Sequence, residues 1–298
     1  MHIETLKVFR DLVDLQSFSL AAERNFITQS AVSQQIRTLE EKFKRRLLER
    51  VRGRREVKLT PAGEVFYRES KNVLAAYDQL QENLRGLVGK IGGTVKVACV
   101  YSVGLHEMPA KVGEFMSKFP SAKIDLEYSR PTKVVRDVMS GSVELGVVAF
   151  PEQKRGISIR QMTPNKLVLI CKPDHKFASK GTVKAKDLNG MDFVHFERDM
   201  PTRKATDKIL KAKSVDVRKV AEFDNIETIK RAVEVGFGVA IVPEPATTDE
   251  KRSGRLAVVR LAEKEWVRPI GVLYRNDRNL SLASKKFVDI LVGGDEAS

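Results

Sequence analysis

The chain is poor in the residues that catalytic and secreted proteins lean on. Its 298 residues include two cysteines, Cys99 and Cys171, and four histidines, His2, His106, His175 and His195. Two cysteines far apart in sequence make no disulfide framework. Each lies in an apolar run of strand character, where a thiol acts as a small buried hydrophobe. A redox-sensing role would need an accessible, low-pKa thiol, and no neighbouring cluster points to one. No histidine stands at metal-ligand spacing from another histidine or a cysteine. There is no nucleophile elbow, Walker loop or HExxH. Gly236-Phe237-Gly238 lacks the third glycine of the dinucleotide fingerprint, Ile241 standing in its place. These absences argue against an enzyme and against a resident cofactor or metal. No apolar run approaches membrane-spanning length, and the N-terminus opens on a charged helix rather than a secretion signal. The expectation is a soluble chain of the cytoplasm.

Acid is in the minority too: 53 Lys/Arg face 39 Asp/Glu, a net charge of +14. That favours nucleic acid as a partner, although a solvated basic surface would have the same composition. Distribution is more informative. Residues 42–58 hold nine basic side chains (Lys42, Lys44, Arg45, Arg46, Arg50, Arg52, Arg54, Arg55, Lys58) against Glu49 and Glu56. The remaining excess is spread through the C-terminal two thirds, compatible with an anionic ligand or with solubility alone.

Periodicity places the basic run in context. Leu6, Phe9, Val13 and Leu12 mark a first helix. Ser17 can cap a second, in which Phe18, Ala21 and Ala22 face inward, the alanines permitting close helix–helix approach. Residues 24–28 form a tight turn with Asn25 as breaker and Thr28 as the next N-cap. The following helix puts Val32, Ile36, Leu39 and Phe43 on one face. Gln29, Ser30, Ser33, Gln34 and Arg37 lie on the other, all groups able to reach base edges or phosphates in a major groove. An amphipathic helix with a solvated polar face has the same pattern, but its flanks single this one out. Leu47-Leu48, Val51, Val57 and Leu59 supply two short strands with Gly53 at their turn. The result is an arginine-tipped hairpin suited to phosphates and a narrow minor groove. Three helices and a wing make a winged helix-turn-helix over residues 1–60.

With these residues in place the sequence closely resembles the LysR-type transcription regulators. The likeness is carried by Ala21-Ala22, by Thr28-Gln29-Ser30-Ala31-Val32-Ser33-Gln34-Gln35-Ile36-Arg37-Thr38-Leu39-Glu40, by Leu48-Glu49-Arg50 and by Leu59-Thr60-Pro61-Ala62-Gly63. It implies that Gln29, Ser30, Ser33, Gln34 and Arg37 face DNA and that Arg50, Arg52 and Arg54 lie on its backbone or minor groove. The density of basic residues around Lys44-Arg45-Arg46 and Arg54-Arg55 departs from the family pattern. It leaves open which arginines enter a groove.

Thr60-Pro61 reads as an N-cap followed by proline at the first helical position. The helix it opens is predicted over residues 61–88. Val73, Tyr77, Leu80, Leu84 and Leu87 recur at alternating steps of four and three, a seam two chains can bury against each other. At about 40 Å the helix is longer than a small head domain can cover. A homodimer or homotetramer is expected, tetramers on the resemblance alone. Residues 89–93 read as a hinge.

Residues 94–298 alternate strands and helices. Strands are predicted over 94–100, 123–128, 145–150, 166–172, 193–196, 239–243 and 270–274. Helices are predicted over 105–119, 132–139, 202–212, 226–235 and 282–291. Repeated strand–helix units imply a parallel sheet with helices on both faces. Pro131-Thr132, Gly141, Asn225-Ile226-Glu227-Thr228 and Gly236–Pro243 add to the resemblance. It implies a two-lobed α/β effector domain of periplasmic-binding-protein type, lobe I at about 94–163 and 268–298 and lobe II at about 164–267. The overall class is α+β multidomain.

Ligands of such sheets sit outside the carboxyl ends of the strands. Tyr101-Ser102-Val103, Arg130-Pro131-Thr132-Lys133 and Met200-Pro201-Thr202-Arg203 should converge there, at helix starts that favour a small anion. The resemblance supports Ser102 and Thr132 as effector contacts, with simple helix capping as the alternative. Phe150 is expected as a wall residue, with Thr202 at the start of its helix and Arg203 as a bidentate partner for a carboxylate- or sulfate-like group. Arg130, Lys133 and Arg198 are either part of this site or ordinary surface charges. The reading is a sequence-specific regulator of transcription that binds double-stranded DNA and a small effector, with no membrane partner. The alternatives are an architectural DNA-binding protein without ligand control and, less well supported, a solute-binding module with a basic head.

Overall fold

The computed structural model describes residues 2–49, 57–86, 91–277 and 279–294. The chain divides into two compact units, the first of residues 1–90 with 140–142 and the second of residues 91–139 with 143–298. Arg50, Arg52 and Arg54 of the predicted wing, Leu87 of the predicted seam, and Gly89 and Lys90 of the hinge lie outside the described residues.

The first unit comprises α1 (Ile3–Leu15), α2 (Phe18–Arg24), α3 (Gln29–Phe43) and α4 (Pro61–Gly86). Local chemistry sets where the helices begin. The Ser17 hydroxyl accepts from Leu20 N at 3.3 Å, and Thr28 accepts from Ala31 N at 3.2 Å. Each satisfies one of the unpaired N–H groups of a first turn. Asn25 closes the turn before α3 by donating to the buried Asp11 carboxylate at 3.0 Å and to Ala21 O at 2.9 Å. Phe9, Leu12, Ala21, Val32, Ile36 and Leu39 form the core of this head. Phe43, predicted on the buried face, is largely exposed at the last position of α3, with its ring edge against Phe66 at 5.2 Å. Phe66 and Phe9 pack edge to face at 5.0 Å, joining α4 to α1.

The base of the wing is tied to the helices around it. Leu48 bridges Leu59 antiparallel, and Glu40 on α3 accepts from Leu47 N at 2.7 Å and Leu48 N at 3.2 Å. Thr60 caps α4 through Gly63 N at 3.0 Å and donates its own proton to Arg46 O at 2.6 Å. Gly63 sits where these strands and α4 meet, and a Cβ there would lie 2.0 Å from Leu47 O.

The second unit comprises β1 (Gly93–Val100), α5 (Tyr101–His106), α6 (Met108–Lys118), β2 (Ala122–Ser129), α7 (Pro131–Ser140), β3 (Leu145–Ala149), β4 (Ile157–Cys171), β5 (Thr182–Val183), β6 (Asp192–Phe196), α8 (Pro201–Ala212), β7 (Arg218–Phe223), α9 (Ile226–Glu234), β8 (Ala240–Pro243), α10 (Thr248–Arg252), β9 (Ala257–Leu261), β10 (Val267–Arg275) and α11 (Leu282–Val292). Strand order in the large sheet is β2-β1-β3-β10-β4-β9-β5, with β8 also paired to β4; β6 pairs with β7. β1 is parallel to β2 and β3, as βαβ crossovers require. β10 runs antiparallel to both β3 and β4. The sheet is therefore mixed, not the purely parallel one predicted.

β4 and β10 carry the chain between the lobes. The predicted lobe borders, at 163/164 and 267/268, fall inside these strands or at their ends. The lobe I core gathers Val97, Leu145, Val147, Ile270 and Val272 beneath Phe115 and Phe287. Lobe II has two cores, one around Phe177, Phe193 and Trp266, the other around Val194, Ile229 and Val242. Several predicted elements are corrected. Residues 105–119 are two helices, the first starting at Tyr101 and broken at Glu107. The strand predicted from Lys166 begins at Ile157, and Gly93 belongs to β1 rather than the hinge.

Gly63→Ala should cost about 1–3 kcal/mol of stability by forcing the wing base away from α4. Urea unfolding of the full chain followed by circular dichroism reads this out. An unchanged midpoint would mean that the contact is relaxed at no cost.

Candidate functional site

Two surfaces answer to the predicted chemistry, one in each unit. On the first, α3 turns Val32, Ile36 and Leu39 inward, and the 3.6-residue period then presents Gln29, Ser30, Ser33, Gln34 and Arg37 to solvent. Gln29 accepts from Ser19 at 3.3 Å, and Ser30 shares a 2.9 Å bond with Thr28. Among the described residues, the side chains of Ser33, Gln34 and Arg37 make no hydrogen bond within the protein. Lys42 in the last turn of the helix and Lys44, Arg45 and Arg46 just beyond it are exposed. Phe26, at the turn entering α3, is 96% exposed with φ 54°, a feature that hydrophobic periodicity gives no means of finding.

Along α4, Val73, Leu80 and Leu84 are 44%, 54% and 57% exposed, and Tyr77 is half-buried. These four of the five predicted seam residues thus form an uncovered apolar stripe. Leu74, beside Val73, and Ser70 one turn earlier are buried instead.

On the second unit, a cleft of about 520 Å3 opens at the carboxyl ends of β1, β2 and β6. Lobe I contributes Tyr101, Ser102, Tyr128 and the start of α7, including Thr132; lobe II contributes Phe196, Met200, Asn225 and Ile226. Three helices of ten, twelve and nine residues, α7, α8 and α9, begin on it. Met200 gives α8 no side-chain cap, whereas Asn225 caps α9 by accepting from Glu227 N at 2.7 Å. Tyr128 lies over α5 because residue 104 is glycine: a Cβ there would meet the ring at 2.3 Å. Its ring stands 5.9 Å from that of Tyr101, so the mouth of the cleft is aromatic on one side.

Charges around the cleft are mostly paired. Arg130 reaches from lobe I to lobe II, meeting Asp224 at 2.9 Å, Glu197 at 3.3 Å and Asp199 at 3.7 Å. Lys133 is held by Asp137 at 2.5 Å and Glu127 at 2.9 Å. His106 of α5 meets Glu227 of α9 at 3.0 Å, and burial, with Lys230 nearby, keeps its imidazole below the usual range despite that carboxylate. Ser102 accepts a hydrogen bond from Arg268, a buried side chain of β10 whose importance its sequence position gave no sign of.

Three predicted contacts are corrected. Arg203 is buried and occupied, donating to Asp207 at 2.7 Å, to Glu222 at 2.7 Å and to Phe196 O at 2.9 Å. It braces α8 against β7 and does not line the cleft. Thr202 is buried beside it and also lies off the lining. Phe150 has φ 51° and packs on the lobe I core rather than forming a wall. Thr132 is a cleft residue but not an N-cap: the helix starts one residue earlier, at Pro131, and Arg130 O accepts from Lys133 N and Val134 N. Its hydroxyl makes no hydrogen bond among the described residues.

The remaining titratable groups do not suit catalysis. Burial, with Arg203 nearby, pushes His195 down to about 4. Burial pushes the Cys171 thiol up to about 11 and Cys99 well above its usual range. Among the described residues no cluster of His, Cys, Asp and Glu could hold a metal ion, and no helix is long and apolar enough to cross a membrane.

Both units have counterparts among known proteins. Residues 3–64 match the family model for the bacterial regulatory helix-turn-helix protein, lysR family, and residues 89–295 match that for the LysR substrate binding domain. A protein of Cyanidioschyzon merolae named "Probable RuBisCO transcriptional regulator" is 31% identical over 89% of this chain and 88% of its own. Full-length CbnR complexed with its target DNA has a TM-score of 0.70 at 20% identity, covering 99% of this chain and 100% of that one. The regulatory domain of Synechocystis PCC6803 CcmR in complex with 2-PG covers 68% of this chain and 98% of its own, at 24% identity and a TM-score of 0.62.

Arg203→Met should destabilise the chain by about 2 kcal/mol, since it removes the hydrogen bond to Phe196 O and an ion pair that is buried on the arginine side only. Urea unfolding measures the loss. A variant of native stability with weakened ligand binding would restore Arg203 to the cleft.

Proposed function

The chain belongs to the LysR family of transcription regulators, and from that premise we propose that it binds specific duplex sites as a homo-oligomer under the control of a small anion. It is a DNA-binding regulator with an effector-binding domain, not an enzyme. The observation that carries the DNA reading is the polar face of α3. Five side chains that can address base edges or phosphates share one exposed surface, and three of them make no hydrogen bond within the protein among the described residues. Gln34 and Arg37 are the base-reading candidates, since amide and guanidinium groups can make bidentate contacts in a major groove. Lys42, Lys44, Arg45 and Arg46 supply the sequence-independent, salt-dependent part of the affinity.

The uncovered stripe Val73-Tyr77-Leu80-Leu84 supports pairing through α4, which would set two α3 helices on two half-sites. The cleft supports effector control because its walls come from both lobes. A ligand touching Thr132 and Tyr128 on one side and Met200 and Asn225 on the other changes the relative energies of lobe arrangements. Three helix starts converging on it favour an anion. 2-PG, held by the CcmR regulatory domain, belongs among the compounds to try.

Fluorescence anisotropy of the full chain on genomic target and scrambled duplexes, with and without candidate anions, tests the whole reading. Arg37→Ala and Gln34→Ala should narrow the difference between the two duplexes by roughly tenfold. Equal weakening on both would remove these residues from base reading. Absence of any sequence preference, with every anion tried, would defeat the proposal. Leu80→Glu should convert the oligomer to a smaller species in sedimentation velocity, and an unaltered profile would reject the seam.

A further inference from the structure

Arg268 is the most deeply buried large side chain of the described residues at which a formal charge is expected, at 2% exposure, and no carboxylate touches it. Its Nη1 donates to Asn165 Oδ1 at 3.2 Å, its Nη2 donates to Ser102 Oγ, and its Nε finds no partner. Glu107 lies nearby, but Asn165 stands between them, donating to Glu107 Oε2 at 3.1 Å while Oε1 goes unpaired. Burial lowers Arg268 to about 10 and raises Glu107, so the guanidinium stays protonated at neutral pH. A cation taken out of water with neutral contacts and an unsatisfied N–H is costly. Buried orphan groups of this kind mark a functional constraint more often than an accident of packing.

Its location says what that constraint is. Arg268 and Asn165 are cross-strand partners on β10 and β4, at the register shift between Arg268 and Ile270 where the chain passes between the lobes. Ser102, hydrogen-bonded to Arg268, connects this buried pair to the cleft lining. Its oxygen accepts from Arg268 and its hydroxyl proton makes no hydrogen bond among the described residues, so the group has a proton to donate to what enters the cleft. The cations at the rim do not compete for that role, because Arg130 and Lys133 are each held by carboxylates.

We propose that Arg268 is the cation against which the cleft binds its effector, an oxyanion of that effector accepting a hydrogen bond from the Ser102 hydroxyl that Arg268 polarises from behind. Arg268 is thus a positioning residue, and Asn165 holds the competing Glu107 carboxylate away from it. The inference rests on the effector reading above and adds the chemistry and position of the bound group. Because the same guanidinium sits on the strands joining the lobes, the charge of the ligand and the lobe hinge meet at one side chain.

Thermal shift of the full chain in phosphate, sulfate or acetate, at an ionic strength held constant with chloride, tests this. At least one of these anions should raise the Tm of the native sequence, because only the folded form has the site. Arg268→Gln and Ser102→Ala should each weaken that anion roughly tenfold or more, and Glu107→Gln should tighten it roughly threefold or more by removing a like charge. If Arg268→Gln does not fold, judged by circular dichroism, the other two variants decide, since their effects have opposite sign. No anion response in the native sequence, or wild-type affinity in Arg268→Gln or Ser102→Ala, or weaker binding in Glu107→Gln, overturns the proposal. If an uncharged compound, or an anion indifferent to these variants, still alters DNA binding, effector control survives and only the place of Arg268 is lost.

Discussion

The antiparallel pairing of β4 with β10 is the constraint on which the sensing half of the molecule depends. Lobe I closes only because β10 returns to lie against β3, with Ile270 opposite Ala149 and Val272 opposite Val147. Lobe II is built on the other end of β4, where Leu167–Ile170 pair with β8 and Val168–Cys171 with β9. The cleft sits between the two sets of strand ends, so its opposite walls are joined through backbone hydrogen bonds rather than a loose linker. Such a joint can bend while its register holds, since sliding it by one residue would turn every inward side chain to the other face.

What could be read in advance follows from how local each determinant is. The helix starts at Phe18, Gln29 and Pro61 were legible because Ser17, Thr28 and Thr60 act on groups two or three residues away. The exposed face of α3 followed from periodicity alone. β4 was read only in its apolar half: from Ile157 to Met162 only the two end positions are buried beside β10, so no period stands out. β7 and β9 went unread for a similar reason, their burial being shallow and interrupted.

The cleft was legible as a place more than as a set of side chains. Ser102 and Thr132 were found because they follow strands. Arg203 misled because its answer lay elsewhere in the chain: Glu222 comes to it through the β6–β7 pairing, and its Nε and Nη1 are engaged by Asp207, Glu222 and Phe196 O. Arg268 could not have been found at all, since nothing in its own stretch of sequence says that Ser102 lies against it across 166 positions.

These pairings explain why net charge says little about either surface taken alone. The chain carries +14, yet at the cleft rim Arg130 and Lys133 are each countered by carboxylates, so the rim contributes little net field. On the head, Lys42, Lys44, Arg45 and Arg46 have no ion pair among the described residues and face water, where a field reaches about 10 Å at moderate salt. The same side chains in the two places do different work: unpaired and solvated they draw a polyanion to the surface, whereas Arg130, paired across the lobes, ties one wall of the cleft to the other. A ligand that enters the cleft must therefore act through short hydrogen bonds and the few charges buried behind them, while DNA is gathered by a diffuse field and discriminated only on contact with α3.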